Sequence, residues 1–303
     1  MTILEIQKKI QKLKAEKDIG ILAHSYQARE ILEIADISGD SFALAKAATE
    51  MPQSTIVVCG VRFMAEGVKL LSPEKTVILA NPDAGCPMAD NLTVERLSKA
   101  QEKHAGYSTV CYINTTTEIK AKCDVCVTSS SAVAIVNKIE NRNILFVPDC
   151  NLGAYVQQQC PDKNIALISG GCPVHAAVTL RDLENAKLKH PNALALVHPE
   201  CVPDVVSSAD YVGSTKGIMD FARESSNSEF IIGTEISIAE HLSYELPEKR
   251  FYPVSKQLMC HNMKITTLPN ILNLLEGGGE EISVSDDIAK EAVRCIDEMI
   301  RLG

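Results

Sequence analysis

The sequence contains no tryptophan, and aromatic residues make up only 4% of its 303 positions. A protein with so few rings has little with which to stack nucleic-acid bases or to cage a quaternary ammonium group. Its net charge of -9, with charged residues at 23%, also leaves no basic stripe of the kind that a phosphate backbone requires. We therefore expect no nucleic-acid partner.

Long apolar runs are also missing. None approaches the roughly 18 to 20 residues that span a bilayer, and the first seventeen residues form a charged amphipathic pattern instead of a signal peptide. The glycine run at 277–279 lacks the lysine of a phosphate-binding loop and is typical of a helix stop. These absences predict a cytoplasmic protein that does not contact a membrane.

Cysteine, by contrast, is abundant, with eleven in the chain. Because cytosolic thiols are kept reduced, this number without a signal peptide argues against a disulfide framework. It indicates metal binding or plain burial instead.

Three of the cysteines belong to a tandem triplication of the chain. A proline, an acidic residue and a lysine recur at Pro73–Lys75, Pro161–Lys163 and Pro247–Lys249, each time before an apolar segment of strand character. A cysteine follows each proline by 13, 11 and 13 residues, at Cys86, Cys172 and Cys260. A fixed long period of this kind determines the architecture.

Polar positions keep the same period. The three prolines are 88 and 86 residues apart, and four sets of three polar residues repeat these intervals. The sets are Asp36, Asp124 and Asp210; Ser41, Ser129 and Thr215; His24, Tyr112 and His198; and Tyr26, Asn114 and Glu200. One copy loses two residues after its proline, so the three cysteines differ by 86 and 88, as do Thr93, Thr179 and Thr267.

Within each repeat, short strands alternate with helices. In the first repeat the pattern predicts strands at 19–23, 56–59 and 76–80, and helices at 29–35, 41–48, 64–71 and 93–103. Strands rich in Val, Ile and Leu without a polar face are typical of parallel sheets covered on both sides by helices.

We therefore predict an α/β protein of three homologous three-layer αβα domains with parallel sheets, arranged around a pseudo-threefold axis. The expected domains are residues 1–105 with an N-terminal helix, 106–191, and 192–303 with a C-terminal helix.

The polar sets indicate where a ligand binds. In parallel α/β domains ligands bind beyond the carboxyl ends of the strands, and two of the sets follow the first strand of each repeat. These residues are His24, Tyr26, Tyr112, Asn114, His198 and Glu200. If the domains pack around an axis, all six face one cavity; otherwise they are three unrelated strand ends.

The hydroxyl set lies where helices begin. Ser41, Ser129 and Thr215 each precede or open a helix, where free backbone amides and the positive end of the helix dipole favour anions. The alternative for each hydroxyl is ordinary helix capping, which is compatible with ligand binding.

The three repeated cysteines indicate a metal centre. Thiolates are soft ligands that select zinc, copper(I) or iron–sulfur clusters, and three of them leave one coordination position open. A structural zinc site would close with a fourth ligand at short spacing. A [4Fe-4S] cluster with three cysteine ligands would instead keep one iron open to act as a Lewis acid.

The other cysteines are not triplicated. The C-x-x-C pair Cys123 and Cys126 has no second pair and no redox-motif context, so we interpret it as structural. Cys201 follows the Glu200 position and could reach the cavity. The remaining thiols are interpreted as small buried hydrophobes: Cys59, Cys111, Cys150, Cys160 and Cys295.

Taken together, these residues resemble the quinolinate synthase family, the iron–sulfur enzymes of bacterial and archaeal NAD biosynthesis. Besides the cysteine spacing, the resemblance is carried by residues 23–27 (AHSYQ), 63–66 (FMAE), 171–175 (GCPVH), 198–201 (HPEC) and 260–264 (CHNMK). It covers essentially the whole chain. One departure is Ile168-Ser169-Gly170, where many members are expected to carry a tryptophan.

The resemblance implies condensation of iminoaspartate with dihydroxyacetone phosphate to quinolinate, phosphate and two waters. It implies a [4Fe-4S] cluster on Cys86, Cys172 and Cys260 with one open iron. Implied substrate contacts are His24, Ser41, Tyr112, Asn114, Ser129, His198, Glu200 and Thr215, and Tyr26 matches a tyrosine of the later steps. An aspartate oxidase or dehydrogenase is the expected source of iminoaspartate.

Our hypothesis for catalysis involves Tyr26, His198 and Glu200, any of which could move protons. We expect Glu200 and Tyr26 to do most of the transfer, and His24 and His198 mainly to orient substrate. Alternatives are an iron–sulfur reductase of isoprenoid diphosphates or diphthamide synthase, which share the three-domain layout, and a non-catalytic oxygen or iron sensor. A sensor would need an output module, which the sequence does not show.

Overall fold

The computed structural model describes all 303 residues, with twelve strands and seventeen helices. The strands are β1 (Ile19–His24), β2 (Ile37–Gly39), β3 (Thr55–Cys59), β4 (Thr76–Leu79), β5 (Ser108–Tyr112), β6 (Val125–Val127), β7 (Asn143–Val147), β8 (Asn164–Leu167), β9 (Leu194–Val197), β10 (Tyr211–Val212), β11 (Glu229–Gly233) and β12 (Arg250–Pro253).

The helices range from single turns to 17 residues. They are α1 (Ile3–Glu16), α2 (Arg29–Leu32), α3 (Ser41–Glu50), α4 (Arg62–Leu71), α5 (Pro87–Asp90), α6 (Val94–Lys103), α7 (Thr117–Lys120), α8 (Ala132–Lys138), α9 (Cys150–Gln159), α10 (Pro173–Ala176), α11 (Leu180–Lys189), α12 (Pro203–Ser207), α13 (Thr215–Glu224), α14 (Ser237–Glu245), α15 (His261–Lys264), α16 (Leu268–Leu275) and α17 (Asp286–Leu302). None of them combines the length and the apolar character needed to cross a membrane.

The strands form three four-stranded sheets, and every pairing within them is parallel. The strand orders are β2-β1-β3-β4, β6-β5-β7-β8 and β10-β9-β11-β12, which is one order used three times. This confirms the prediction of an α/β protein with three homologous αβα domains. The short edge strands β2 and β10, of three and two residues, were not predicted from the pattern, whereas β6 lies where the C-x-x-C pair runs into a segment of strand character.

Two compact units divide the chain. Unit one comprises residues 1–86 and 260–293, and therefore contains the first sheet. In it, α1 packs against α16, and the core includes Ile10 of α1, Ile21 of β1 and Ile271 of α16. The central strand β1 is buried from Gly20 to His24, as expected for a parallel strand covered on both faces.

Unit two comprises residues 87–259 and 294–303 and contains the second and third sheets. Around the third sheet, the core joins Ala195 and Val197 of β9 to Leu183 of α11 and Val205 of α12. The helices that precede and follow β9 therefore pack against the strand up to Val197, its last residue, and this positions the residues beyond its carboxyl end.

The period seen in the sequence recurs in the hydrogen bonds. In every repeat an aspartate carboxylate accepts the N–H of the residue fifteen positions earlier: Asp36 from Ile21 at 2.8 Å, Asp124 from Thr109 at 2.7 Å, and Asp210 from Ala195 at 2.7 Å. The lysines of the Pro-acidic-Lys triplets likewise donate to the carbonyls of Met51, Ile139 and Ser225. Each helix that follows a repeated cysteine by several residues is capped by a threonine, at Thr93, Thr179 and Thr267.

We expect Asp210→Ala to lower the free energy of unfolding by about 1–3 kcal/mol, because it leaves the N–H of the buried Ala195 without its acceptor. Asp210→Asn, which keeps one oxygen, should lose less. Urea unfolding curves measure both changes. Asp162→Ala, at an exposed side chain of the same unit, is the control, and an equal loss in that variant would contradict the role assigned to the repeated aspartate.

Candidate active site and cysteine centres

The residues predicted at the strand ends lie at those ends. His24 and Tyr112 are the last residues of β1 and β5, and His198 directly follows β9. The Nδ1 atom of His24 accepts the N–H of Tyr26 at 3.1 Å, and Nδ1 of His198 accepts the N–H of Glu200 at 3.3 Å. When such a ring is neutral its proton is on Nε2.

Unit one holds His24 and Tyr26 together. His24 is buried, and its ring meets that of Tyr26 edge-on, with centroids 4.5 Å apart and planes at 74°. Lys264 in α15 donates to the carbonyl oxygen of Tyr26. Because Cys260 immediately precedes α15, this bond ties the Cys260 helix to the end of β1.

Unit two contains a buried carboxylate between two imidazoles. Glu200, His198 and His175 are 3%, 2% and 2% exposed. Oε2 of Glu200 lies 2.8 Å from Nδ1 of His175 and 3.3 Å from Nδ1 of His198. The two rings stack with centroids 4.7 Å apart. The other carboxylate oxygen, Oε1, is buried without a hydrogen-bond partner.

The electrostatics of this group follow from burial and the adjacent rings. Burial by itself would raise the pKa of Glu200, but His198 and His175 outweigh it and hold the pKa below its ordinary value. Burial lowers the pKa of His198, against the opposing effect of Glu200. The group therefore presents an ionised carboxylate with one oxygen engaged and one available.

Cys172 belongs to the same group of side chains. Its Sγ lies 3.3 Å from Nδ1 of His175, and its N–H donates to Oδ2 of Asp149 at 2.9 Å. Nε2 of His175 is 3.0 Å from Oγ1 of Thr234. Burial, and then the charge of Glu200, raise the pKa of Asp149 to about 7.

Sequence reasoning missed His175, Asp149 and Thr234. His175 stood inside the quoted segment 171–175, but was not assigned a role. Asp149 and Glu235 are 86 residues apart and both accept the N–H two positions on, from Asn151 and Ser237, at 2.9 Å each. That repeated acid was a detectable signal.

The repeated hydroxyls lie at or shortly before the starts of helices and do not cap them. Asp40 and Ser214 cap α3 and α13 by accepting the N–H three positions on, at 2.9 and 3.1 Å. Thr128 accepts the N–H of Ser131 at 3.2 Å in the turn before α8, a helix without a side-chain cap. Ser41 and Thr215 are the first residues of α3 and α13, and Ser129 lies shortly before α8. Ordinary helix capping is therefore done at α3 and α13 by the residues that precede Ser41 and Thr215.

The triplicated cysteines also share a local setting. Cys86, Cys172 and Cys260 each stand directly before a helix of four residues, namely α5, α10 and α15. All three are partly exposed. Cys201, in contrast, is buried, its Sγ donates to the carbonyl of Gly233 at 3.5 Å, and burial raises the pKa of its thiol to about 12. Cys201 therefore differs in setting from the three repeated cysteines, because its Sγ is buried and hydrogen-bonded to Gly233.

Comparison with known proteins bears on what this arrangement does. The family model described as "NadA: Quinolinate synthetase A protein" matches residues 8–301. The chain belongs to the quinolinate synthetase A family. It is 47% identical to the quinolinate synthase of Caldicellulosiruptor bescii over 303 residues, which is the whole of both chains. It is 48% identical to quinolinate synthase 2 of Methanosarcina acetivorans over 298 residues, covering 98% and 96% of the two chains.

Membership of the quinolinate synthetase A family confirms the resemblance and the prediction that the chain is an enzyme of NAD biosynthesis. It decides against the isoprenoid diphosphate reductase and diphthamide synthase families, and against a sensor.

A second group of thiols was not expected from the repeats. The sulfurs of Cys111, Cys126 and Cys295 in unit two lie within 4.8 Å of one another, and all three residues are buried. Cys111 and Cys295 are buried as expected, but the interpretation of each as an isolated hydrophobe did not include their proximity to each other and to Cys126. This group is compatible with metal binding.

Proposed function

We propose that this chain condenses iminoaspartate with dihydroxyacetone phosphate, releasing quinolinate, phosphate and two waters. The observation that carries the proposal is the Glu200 carboxylate, buried between His175 and His198 beside Cys172, with Oε1 left without a partner. A buried acceptor of this kind is costly unless a ligand completes it. The names of the relatives, all quinolinate synthases, support the same reaction.

The proposed cofactor is a [4Fe-4S] cluster held by Cys86, Cys172 and Cys260. These residues suit such a cluster, because they are three thiols in matched positions. Each is partly exposed and stands directly before a short helix. A closed structural zinc site would need a fourth thiol or imidazole. Bound in this way, the cluster supplies an open iron that acts as a Lewis acid toward a departing oxygen.

Substrate binding is assigned to the polar sets. Both substrates are anions, a dicarboxylate imine and a phosphate ester, and the hydroxyls of Ser41, Ser129 and Thr215 stand where helices begin. Because Asp40 and Ser214 cap α3 and α13, ordinary capping does not account for Ser41 and Thr215. Tyr112 ends β5 and Asn114 follows it, and both are proposed to orient the substrate by hydrogen bonds.

Proton transfer is assigned to Glu200 and Tyr26, with His24 and His198 orienting substrate. The Glu200 carboxylate offers Oε1, which has no partner within the protein, as the proton acceptor, and His175 contacts the other oxygen, Oε2, at 2.8 Å. His24 and His198 accept backbone N–H groups at Nδ1 and thereby present Nε2–H as a donor. Because iminoaspartate is unstable, an aspartate oxidase or dehydrogenase is the proposed supplier.

An anaerobic assay tests the function. Protein purified without oxygen, incubated with iminoaspartate and dihydroxyacetone phosphate, is expected to form quinolinate and phosphate in equal amounts, measured by chromatography. Omitting either substrate is the control. Absence of quinolinate from protein with full iron and sulfide content would overturn the proposal.

A further inference from the structure

A group of buried thiols in unit two lies outside the proposed active site. Cys111 is in β5 and Cys126 in β6, and their Cα atoms are direct partners in the parallel ladder. Neighbouring partners in a sheet project their side chains to the same face. Cys295, near the middle of α17, lies over that face, with its Sγ 3.6 Å from that of Cys111.

The spacing of the sulfurs suits one metal ion. All three lie within 4.8 Å of one another, and thiolates bound to a single tetrahedral zinc at about 2.3 Å stand about 3.8 Å apart. The cysteines of a [4Fe-4S] cluster bind different irons and are more widely separated. This group therefore does not compete with Cys86, Cys172 and Cys260 for the cluster.

A fourth thiol is close by. Cys123 forms a C-x-x-C pair with Cys126, the short spacing used by structural zinc sites, and its thiol interacts with that of Cys111. All four cysteines are 0% exposed, so no coordination position would be left open to solvent or substrate.

Nearby cations suit the charge of such a site. A zinc ion with four thiolates carries a net charge of -2, which burial would penalise without compensation. The buried Lys120 is near enough to act electrostatically on Cys111 and Cys126. Arg294 donates to the carbonyl oxygen of Cys123 at 3.2 Å.

We propose that Cys111, Cys126 and Cys295, with Cys123 as the fourth ligand, form a structural Zn²⁺ site. The four thiolates close the coordination sphere, and the metal links α17, through Cys295, to β5 and β6. Its role is stability, separate from catalysis. Since the thiols are buried, the ion is captured as unit two folds.

Metal analysis of the full-length protein, produced with zinc and iron in the medium, tests this site. We expect one zinc per chain in the wild type, loss of that zinc in Cys126→Ala, and unchanged iron and sulfide in the same variant. Cys160→Ala removes another buried thiol of unit two and is the matched control; it should keep both metals. Zinc retained in Cys126→Ala, or absent from the wild type, would overturn the proposal.

A cobalt experiment covers the case in which Cys126→Ala fails to fold. Full-length protein carrying only Cys172→Ala, which is expected to lack the cluster and its absorbance, is produced with Co²⁺ in place of zinc. Tetrahedral cobalt thiolate absorption in the visible range is the expected result. A spectrum without it, or a disulfide among these four cysteines in anaerobically purified protein, would refute the site.

Discussion

Replacement of Cys172 by alanine is expected to strip iron and sulfide from the protein and to abolish quinolinate formation. The reason is that two thiols cannot hold a cluster that the proposal assigns to three. Loss of the Lewis acid alone removes several kcal/mol of transition-state stabilisation, so the rate should fall by at least about a thousandfold. Iron and sulfide assays and the thiolate-to-iron absorbance, read beside the activity assay, measure the result.

The same outcome is expected for Cys86→Ala and Cys260→Ala, because the three cysteines occupy the same position in the three repeats. Cys201→Ala is the matched control, since Cys201 is the next-nearest thiol in sequence to the Glu200 group and is bonded to Gly233. It should keep the cluster. A full cluster in any one of the three variants, or its loss in Cys201→Ala, would exclude that assignment of ligands.

Much of the fold could be predicted because polar residues keep the period as strictly as apolar ones. Asp36, Asp124 and Asp210 lined up in the sequence, and each makes the same bond to the backbone. Predicted strands such as 56–59 match β3 closely. The short edge strands β2, β6 and β10 were harder to predict, because two or three residues are too few to show a pattern. Only their pairing with β1, β5 and β9 defines them as strands.

Only those residues of the candidate site that occupy repeated positions could be predicted from the sequence. His24, Tyr112 and His198 follow from the period, but His175 pairs with Glu200 because α10 and the segment after β9 come together in unit two. No spacing in the sequence encodes that contact. The proximity of Cys111 and Cys295 is another example, since it depends on where α17 packs.

Glu200→Gln is expected to lower kcat by about 10²–10⁴-fold with little change in cluster content or in KM. The amide keeps the shape of the side chain but loses the negative charge, so it can no longer accept a proton in the reaction. It also ends the charge-assisted contact between Oε2 and His175, which is 2.8 Å long. Steady-state kinetics with both substrates, alongside iron and sulfide content, measure the effect.

Glu184→Gln, at an exposed position of unit two, controls for the change of charge. The decisive comparison is between kcat and KM, because a residue that only shapes the pocket would raise KM when altered and leave turnover by bound substrate intact. Full turnover by Glu200→Gln with an intact cluster would exclude Glu200 from proton transfer. The buried Oε1 would then be an acceptor that positions substrate, and Tyr26 would remain as the proposed proton carrier.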